Sequence, residues 1–142
     1  MRRVLVIHGP NMNMLGIREP GIYGNRTFQD LEAYIDSVAC GLGFKAEFFQ
    51  SNHEGAIVDR IQQAYGTADC ILINPAAYTH TSVAILDALR AVGLPVAEVH
   101  LSDIDRREEF RRLSYVSLYA GKTVSGLGFD GYRVALEYLA GL

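Results

Sequence analysis

Four histidines, His8, His53, His80 and His100, are the residues of this 142-residue chain best suited to moving protons near neutral pH. Each follows a short apolar run and has polar company. His8 leads into Gly9, Pro10 and Asn11, and His53 closes Gln50, Ser51 and Asn52. His80 sits between Thr79 and Thr81, shortly after Asn74 and Pro75, while His100 precedes Ser102 and follows Glu98 by two residues. That last spacing puts Glu98 and His100 on one face of a strand. A second constellation is the stretch GPNMNMLGIREPGIYG, Gly9 to Gly24, which holds four glycines, two prolines, Arg18 and Tyr23. A connection this long inside a small domain reads as a lid or binding loop. On spacing alone, Tyr23 reads equally well as a surface packing aromatic and Arg18 as a solvated charge.

The elements that must position these residues alternate regularly. Val4 to Ile7 is a continuous apolar run, the mark of a strand covered on both faces. Phe28, Leu31, Ile35, Val38 and Leu42 then step by three or four, one stripe of a helix, with Thr27 and Asp30 as its N-cap signature and Gly43 as its stop. Phe44 to Gln50 alternates as a strand. Ile57, Ile61, Ala64 and Tyr65 mark a second helix ending near Gly66, and Cys70 to Ile73 is a third strand. Val83 to Val92 is a nearly all-apolar helix stopped by Gly93, with Pro95 beyond. Val96 to Val99 is a fourth strand. A short helix near Arg106 to Arg112, a fifth strand at Lys122 to Ser125 and a closing helix from about Asp130 to Leu139 complete the chain.

This rhythm predicts an α/β fold, a doubly wound five-stranded parallel sheet with helices on both faces, of flavodoxin-like order 2-1-3-4-5. It predicts one domain over residues 1–142. Ligands of such sheets bind beyond the carboxyl ends of the strands, and all four histidines fall on that edge.

Composition narrows the classes. Hydrophobic residues are 49% and charged residues 20%, as in a globular protein. With 13 Lys plus Arg against 16 Asp plus Glu the net charge is −3, without the basic surplus expected of a nucleic-acid or anionic-membrane binder. No apolar stretch is long enough to span a bilayer, and the opening run is too short for a signal peptide. Cys40 and Cys70 lie in apolar segments and read as packed thiols of a cytoplasmic protein. No CxxC or Cys/His zinc spacing occurs, so no metal is expected.

Three blocks together resemble the type II 3-dehydroquinate dehydratases: GPNMNMLGIREPGIYG, NPAAYTHTSVAILDAL and EVHLSDIDRREEFRRLSY. QSNHEG and GLGFDGY add to a resemblance that covers essentially the whole chain. It implies a flavodoxin-like subunit without cofactor, assembled as a homododecamer, a tetramer of trimers. The implied reaction is trans-dehydration of 3-dehydroquinate to 3-dehydroshikimate through an enolate, in aromatic amino acid biosynthesis by the shikimate pathway or in quinate catabolism. Tyr23 then matches the base, a tyrosinate favoured by Arg18, and Asn11 matches the residue holding an ordered water at the enolate oxygen. His100 matches the general acid and Glu98 the carboxylate that orients it. Asn74, the Leu101 and Ser102 amides and the Ser102 hydroxyl match the carboxylate-binding set. His80 and Arg111 match ligands of ring hydroxyls, Arg107 a second loop-facing arginine, and Asp87 a residue reaching in from a neighbouring subunit. Arg106 and Arg112 keep the reading of a solvated helix face.

The chain departs from the commonest family pattern at His8, Asp103, Asp105 and Leu113, none at a catalytic position; His8 and Asp103 are expected near enough to the pocket to affect it. Two rival readings stand beside the resemblance. One is a flavin mononucleotide or similar phosphate binder, which Pro10 disfavours by removing an N–H from the first loop. The other is a metal hydrolase using His100, Asp103 and Asp105. A paralogue with a silent site is a further alternative, against which the intact Asn11, Arg18, Tyr23, Glu98 and His100 set argues.

Overall fold

The apolar runs become five parallel strands in a computed structural model that describes residues 1–17 and 26–142. The order is β1 (Arg2–His8), α1 (Phe28–Gly41), β2 (Phe44–Gln50), α2 (Glu54–Gln63), β3 (Cys70–Asn74), α3 (Val83–Val92), β4 (Val96–His100), β5 (Lys122–Ser125) and α4 (Asp130–Ala140). In space the strands run β2-β1-β3-β4-β5, as the sequence rhythm predicts. The register pairs His8 with Asn74, Ile73 with Glu98, and Glu98 with Thr123, so the strand ends form one polar edge.

Alternation within the strands builds two cores. Val4, Val6, Leu72 and Val99 pack on one face under Leu31 and Ile35 of α1 and Tyr132 and Leu136 of α4. Leu5, Ile7, Ile71 and Ile73 pack on the other under Ile57 and Ile61 of α2 and Ile85 and Leu89 of α3. Full burial of one such aliphatic side chain contributes about 1.5–3 kcal/mol, which fixes the register on which the site depends. Helix ends follow their signals. Thr27 and Asp30 form a reciprocal capping box, Ser82 caps α3 through the Ile85 amide, and Gly93 ends it in the left-handed conformation.

Three local expectations are corrected. The helix expected over Arg106 to Arg112 is two separate 3-10 turns, Ile104–Arg106 and Glu109–Arg111. Asp103 caps the first through the Asp105 amide, and Arg107 is extended, which breaks any continuation. Cys40 is exposed rather than packed. It follows Ala39, the last buried residue of α1, and the helical turn carries it past the stripe. Tyr65 is exposed because α2 ends at Gln63, before the position that would bury it.

Candidate active site

The exits of β1, β3 and β4 surround one cavity, partly open to solvent. The β1 exit contributes Asn11 and Met12, the β3 exit Asn74 and His80, and the β4 exit His100, Leu101, Ser102, Arg107 and Arg111. Gly9 makes this convergence possible. Its amide donates to the Asn74 carbonyl at 2.7 Å, and a Cβ there would collide with the Pro75 carbonyl.

Asn11 is held by its backbone. It adopts a left-handed conformation (φ 68°), which asparagine tolerates, and opens the 3-10 turn Met12–Met14. Its amide donates to Asn52 Oδ1 at 3.0 Å, and that oxygen also accepts from Gln50 Nε2 at 3.2 Å. Tyr78 in turn donates to the Asn52 carbonyl at 2.7 Å, so β2 and the β3 exit brace the first loop. Asn74 is similarly fixed. Its Oδ1 accepts from the Ala76 amide, and its Nδ2 donates to the Tyr132 hydroxyl at 3.0 Å and faces Met12 Sδ at 3.5 Å.

The densest polar cluster lies at the end of β4. Glu98 is fully buried, and its Oε2 lies 2.5 Å from His100 Nε2. Thr79 donates to Oε2 at 2.7 Å, and Ser114 reaches Oε2 at 2.8 Å and Oε1 at 3.0 Å. Thr123 of β5 adds a longer contact of 3.3 Å to Oε1. Burial pushes the Glu98 carboxyl up, but the hydrogen bond and charge of His100, with the Thr79 and Ser114 hydroxyls, outweigh it and hold the group below its ordinary value. With Nε2 taken by Glu98, Nδ1 is the nitrogen that His100 can offer to a bound molecule.

His80 faces His100 with ring centroids 6.5 Å apart. Its Nδ1 contacts the Leu113 carbonyl at 2.7 Å, so this nitrogen carries the proton and Nε2 is the acceptor of the neutral ring. Burial lowers its basicity; the Leu113 carbonyl opposes the shift, and the charges of His100 and Arg111 add to it. Tyr132 is the phenol tied to the cavity through Asn74, and burial raises it above its ordinary value, the opposite of what a phenolate needs.

The edge of four histidines divides. His80 and His100 line the cavity, whereas His53 is exposed at the start of α2. His8, expected near the pocket, is buried on the α1 side, with Phe28 edge-on at 4.7 Å and Phe48 stacked at 6.1 Å between centroids. Asp103 is engaged in capping and Asp105 is exposed, and no group of three His, Cys, Asp or Glu residues able to hold a metal comes together among the described residues. Arg107 and Arg111 line the cavity, while Arg106 and Arg112 are exposed. Arg111 also pairs with Glu108 at 2.7 Å. Asp87 lies on the exposed face of α3, away from the cavity of its own chain. Arg18 and Tyr23 lie outside the described residues. Thr79, Ser114, Thr123, Tyr132, Gln50 and Asn52 were given no role by the sequence; the hydroxyls of THTS, beside the apolar run Val83 to Leu86, were the available signal for Thr79.

Known proteins agree along nearly the whole chain. Residues 2–140 match the dehydroquinase class II family. A catabolic 3-dehydroquinase 1 of Aspergillus terreus is 56% identical over 139 residues, 98% of this chain and 91% of that protein. A 3-dehydroquinate dehydratase of Endomicrobium trichonymphae is 51% identical over 142 residues, covering 100% of this chain and 99% of its own. The crystal structure of a type II dehydroquinase from Butyrivibrio crossotus superposes with a TM-score of 0.94 at 46% identity, covering 97% of each chain. Among the described residues no helix is long and apolar enough to cross a membrane. With the sheet order, the cavity at its carboxyl edge and these likenesses in accord, the chain belongs to the class II dehydroquinases and is a 3-dehydroquinate dehydratase.

Proposed function

We propose that the cavity performs the trans-dehydration of 3-dehydroquinate as an acid–base pair acting through an enolate, within one domain over residues 1–142 whose lid is the loop 9–24. Tyr23, as phenolate, takes the C2 proton. Ionising a free tyrosine near neutrality costs roughly 4 kcal/mol, and the Arg18 guanidinium on the same loop offsets it. The enolate oxygen is stabilised by a water held at Asn11. His100 then gives its Nδ1 proton to the C1 hydroxyl, which departs as water, and the Nε2 hydrogen stays on the ring, donated to the Glu98 carboxylate. Acid, base and enolate support are all side chains or water, so the step calls on no cofactor.

Substrate binding follows the lining. One Nδ2 hydrogen of Asn74 is engaged by Tyr132, and the other faces the weakly accepting Met12 thioether, which a carboxylate displaces. The Leu101 and Ser102 amides and the Ser102 hydroxyl complete that carboxylate site. His80 and Arg111 take ring hydroxyls, with Arg107 beside the loop. Asp87, on the outer face of α3, serves a neighbouring subunit's site in a cytoplasmic homododecamer built as a tetramer of trimers. The observation that carries the reading is the buried Glu98 carboxylate against His100 Nε2, which leaves Nδ1 for the cavity.

The test is to add 3-dehydroquinate and follow the ultraviolet absorbance of the conjugated enone. Tyr23→Phe should lower turnover at least about a hundredfold with an unchanged circular dichroism spectrum. Turnover close to that of the parent would remove Tyr23 as the base.

A further inference from the structure

We infer that the hydroxyls of Thr79 and Ser114 are positioning residues for the acid step: they hold Glu98 as a carboxylate, so that the proton in the His100–Glu98 contact stays on Nε2 and the Nδ1–H offered to the leaving hydroxyl belongs to an imidazolium. The inference rests on the reading of His100 as the acid.

The need for such a device follows from where the second proton can sit. Glu98 Oε2 and His100 Nε2 are 2.5 Å apart in a buried site, close enough for the shared proton to lie on either atom. With the proton on Nε2 the pair is imidazolium and carboxylate, and the Nδ1–H facing the cavity belongs to a cation. With it on Oε2 the pair is a neutral imidazole and a carboxylic acid. The Nδ1–H is then that of a neutral ring, far too weak an acid to expel hydroxide as water. Total charge is the same in both states, so the surroundings of Glu98 decide between them.

Those surroundings are donors. Ser114 Oγ accepts the Ser117 amide at 3.1 Å, which turns its own hydrogen forward, toward Thr79 at 2.8 Å or toward the carboxylate. Thr79 passes a hydrogen to Oε2 at 2.7 Å. Thr79 and Ser114 come from two adjoining segments, the 3-10 turn Ala76–His80 after β3 and the stretch before the turn Val116–Leu118, and both are buried. Thr123 of β5 adds a longer donor to Oε1 at 3.3 Å. Among the described residues, the other titratable or charged groups lining the cavity beside His100 are His80, Arg107 and Arg111. The hydrogen bonds to the carboxylate among the described residues, besides that of His100, come from the hydroxyls of Thr79, Ser114 and Thr123. A buried carboxylate with several donors is favoured over the acid form, because a charged oxygen accepts each of those hydrogen bonds more strongly than a neutral one.

The experiment uses the full-length enzyme and two readouts: dehydration by ultraviolet absorbance, and exchange of the C2 hydrogen in deuterated water by NMR. Thr79→Val keeps the shape and removes the hydroxyl; Thr79→Ser keeps the hydroxyl and removes the methyl. Thr79→Val should lower dehydration kcat about tenfold or more, leave KM within about twofold, and preserve exchange, while Thr79→Ser stays near the parent. Ser114→Ala should behave like Thr79→Val, and it carries the test should that variant fail to fold. The inference is overturned if Thr79→Ser is the damaged variant and Thr79→Val is not, which marks a packing role. It is equally overturned if exchange and dehydration fall together in Thr79→Val while His100→Ala separates them. Should His100→Ala itself dehydrate at the parent rate, the assignment of His100 fails and takes the inference with it, an outcome distinct from the other two.

Discussion

Two buried histidines end strands of the same sheet with a glutamate beside each, and they have opposite surroundings. His100 closes β4 with Glu98 Oε2 at 2.5 Å, hydroxyls of Thr79 and Ser114 around that carboxylate, and a ring edge on the cavity. His8 closes β1 with Glu32 Oε2 at 3.3 Å from Nε2, yet that contact lacks hydrogen-bond geometry and neither ring nitrogen has a hydrogen bond among the described residues. Its neighbours are the faces and edges of Phe28 and Phe48. Proximity of histidine and glutamate is therefore a poor marker of acid–base work by itself. A carboxylate held by donors and a nitrogen left facing the ligand space make the difference.

The sharpest way to break the comparison is Glu98→Gln. The amide keeps the volume but removes the charge that an imidazolium needs. Its NH2 group also points a donor at hydroxyls already set to donate, leaving at least one buried group without a partner. Turnover should fall by about two orders of magnitude, measured by steady-state ultraviolet assay at saturating substrate. A loss under fivefold would show that His100 does not depend on its carboxylate, and the contrast with His8 would lose its chemical meaning.

The comparison also shows what a sequence makes legible. The sheet and its order could be read because each strand is a contiguous apolar run between helices of matching stripe, a property local in sequence. Glu98 and His100 could be placed on one face because two residues on a strand share a face. The donors around Glu98 could not, since Thr79 is 19 residues away, Ser114 16 and Thr123 25, and crossovers bring them in. His8 was misplaced for a related reason. Strand position gives the edge on which a residue falls, but whether its ring turns to the cavity or to α1 depends on the face, and Val4 and Val6 of the same face already pack under α1. The segment 106–112 failed as a helix because charged residues supply no apolar stripe to anchor one, while Asp103 offers a tighter local turn.

A smaller effect sharpens the cavity side. His80 is held below its ordinary value, first by burial and then by the nearby charges of His100 and Arg111. The folded protein thus binds less proton at this site than the unfolded chain. Stability from neutral His80 is whole above about pH 6.5 and is lost as pH falls through the lower native value. Nε2, the acceptor of the neutral ring, is lost on protonation, so KM should rise as pH falls from 7 through that lower native value. His80→Gln should flatten both the pH dependence of KM and that of the urea midpoint. A variant with the parent's slopes in both would assign the titration to another group.

The smallest effect is expected at His8, and it bears hardest on the comparison. Replacing His8 by Leu removes two buried nitrogens that make no hydrogen bond, which favours the folded state, and removes the stacking with Phe28 and Phe48, which disfavours it. Each contribution is on the order of 1 kcal/mol, so they nearly cancel and the urea midpoint should move little. Turnover should stay within about twofold, because the ring neither lines the cavity nor touches a residue that does so through a hydrogen bond. A tenfold fall in kcat with an unchanged midpoint would mean that the ring acts on the reaction from beneath α1, through the loop that carries Asn11. In that case burial between two phenylalanines is no mark of a bystander, and the two histidines differ in distance from the chemistry rather than in kind.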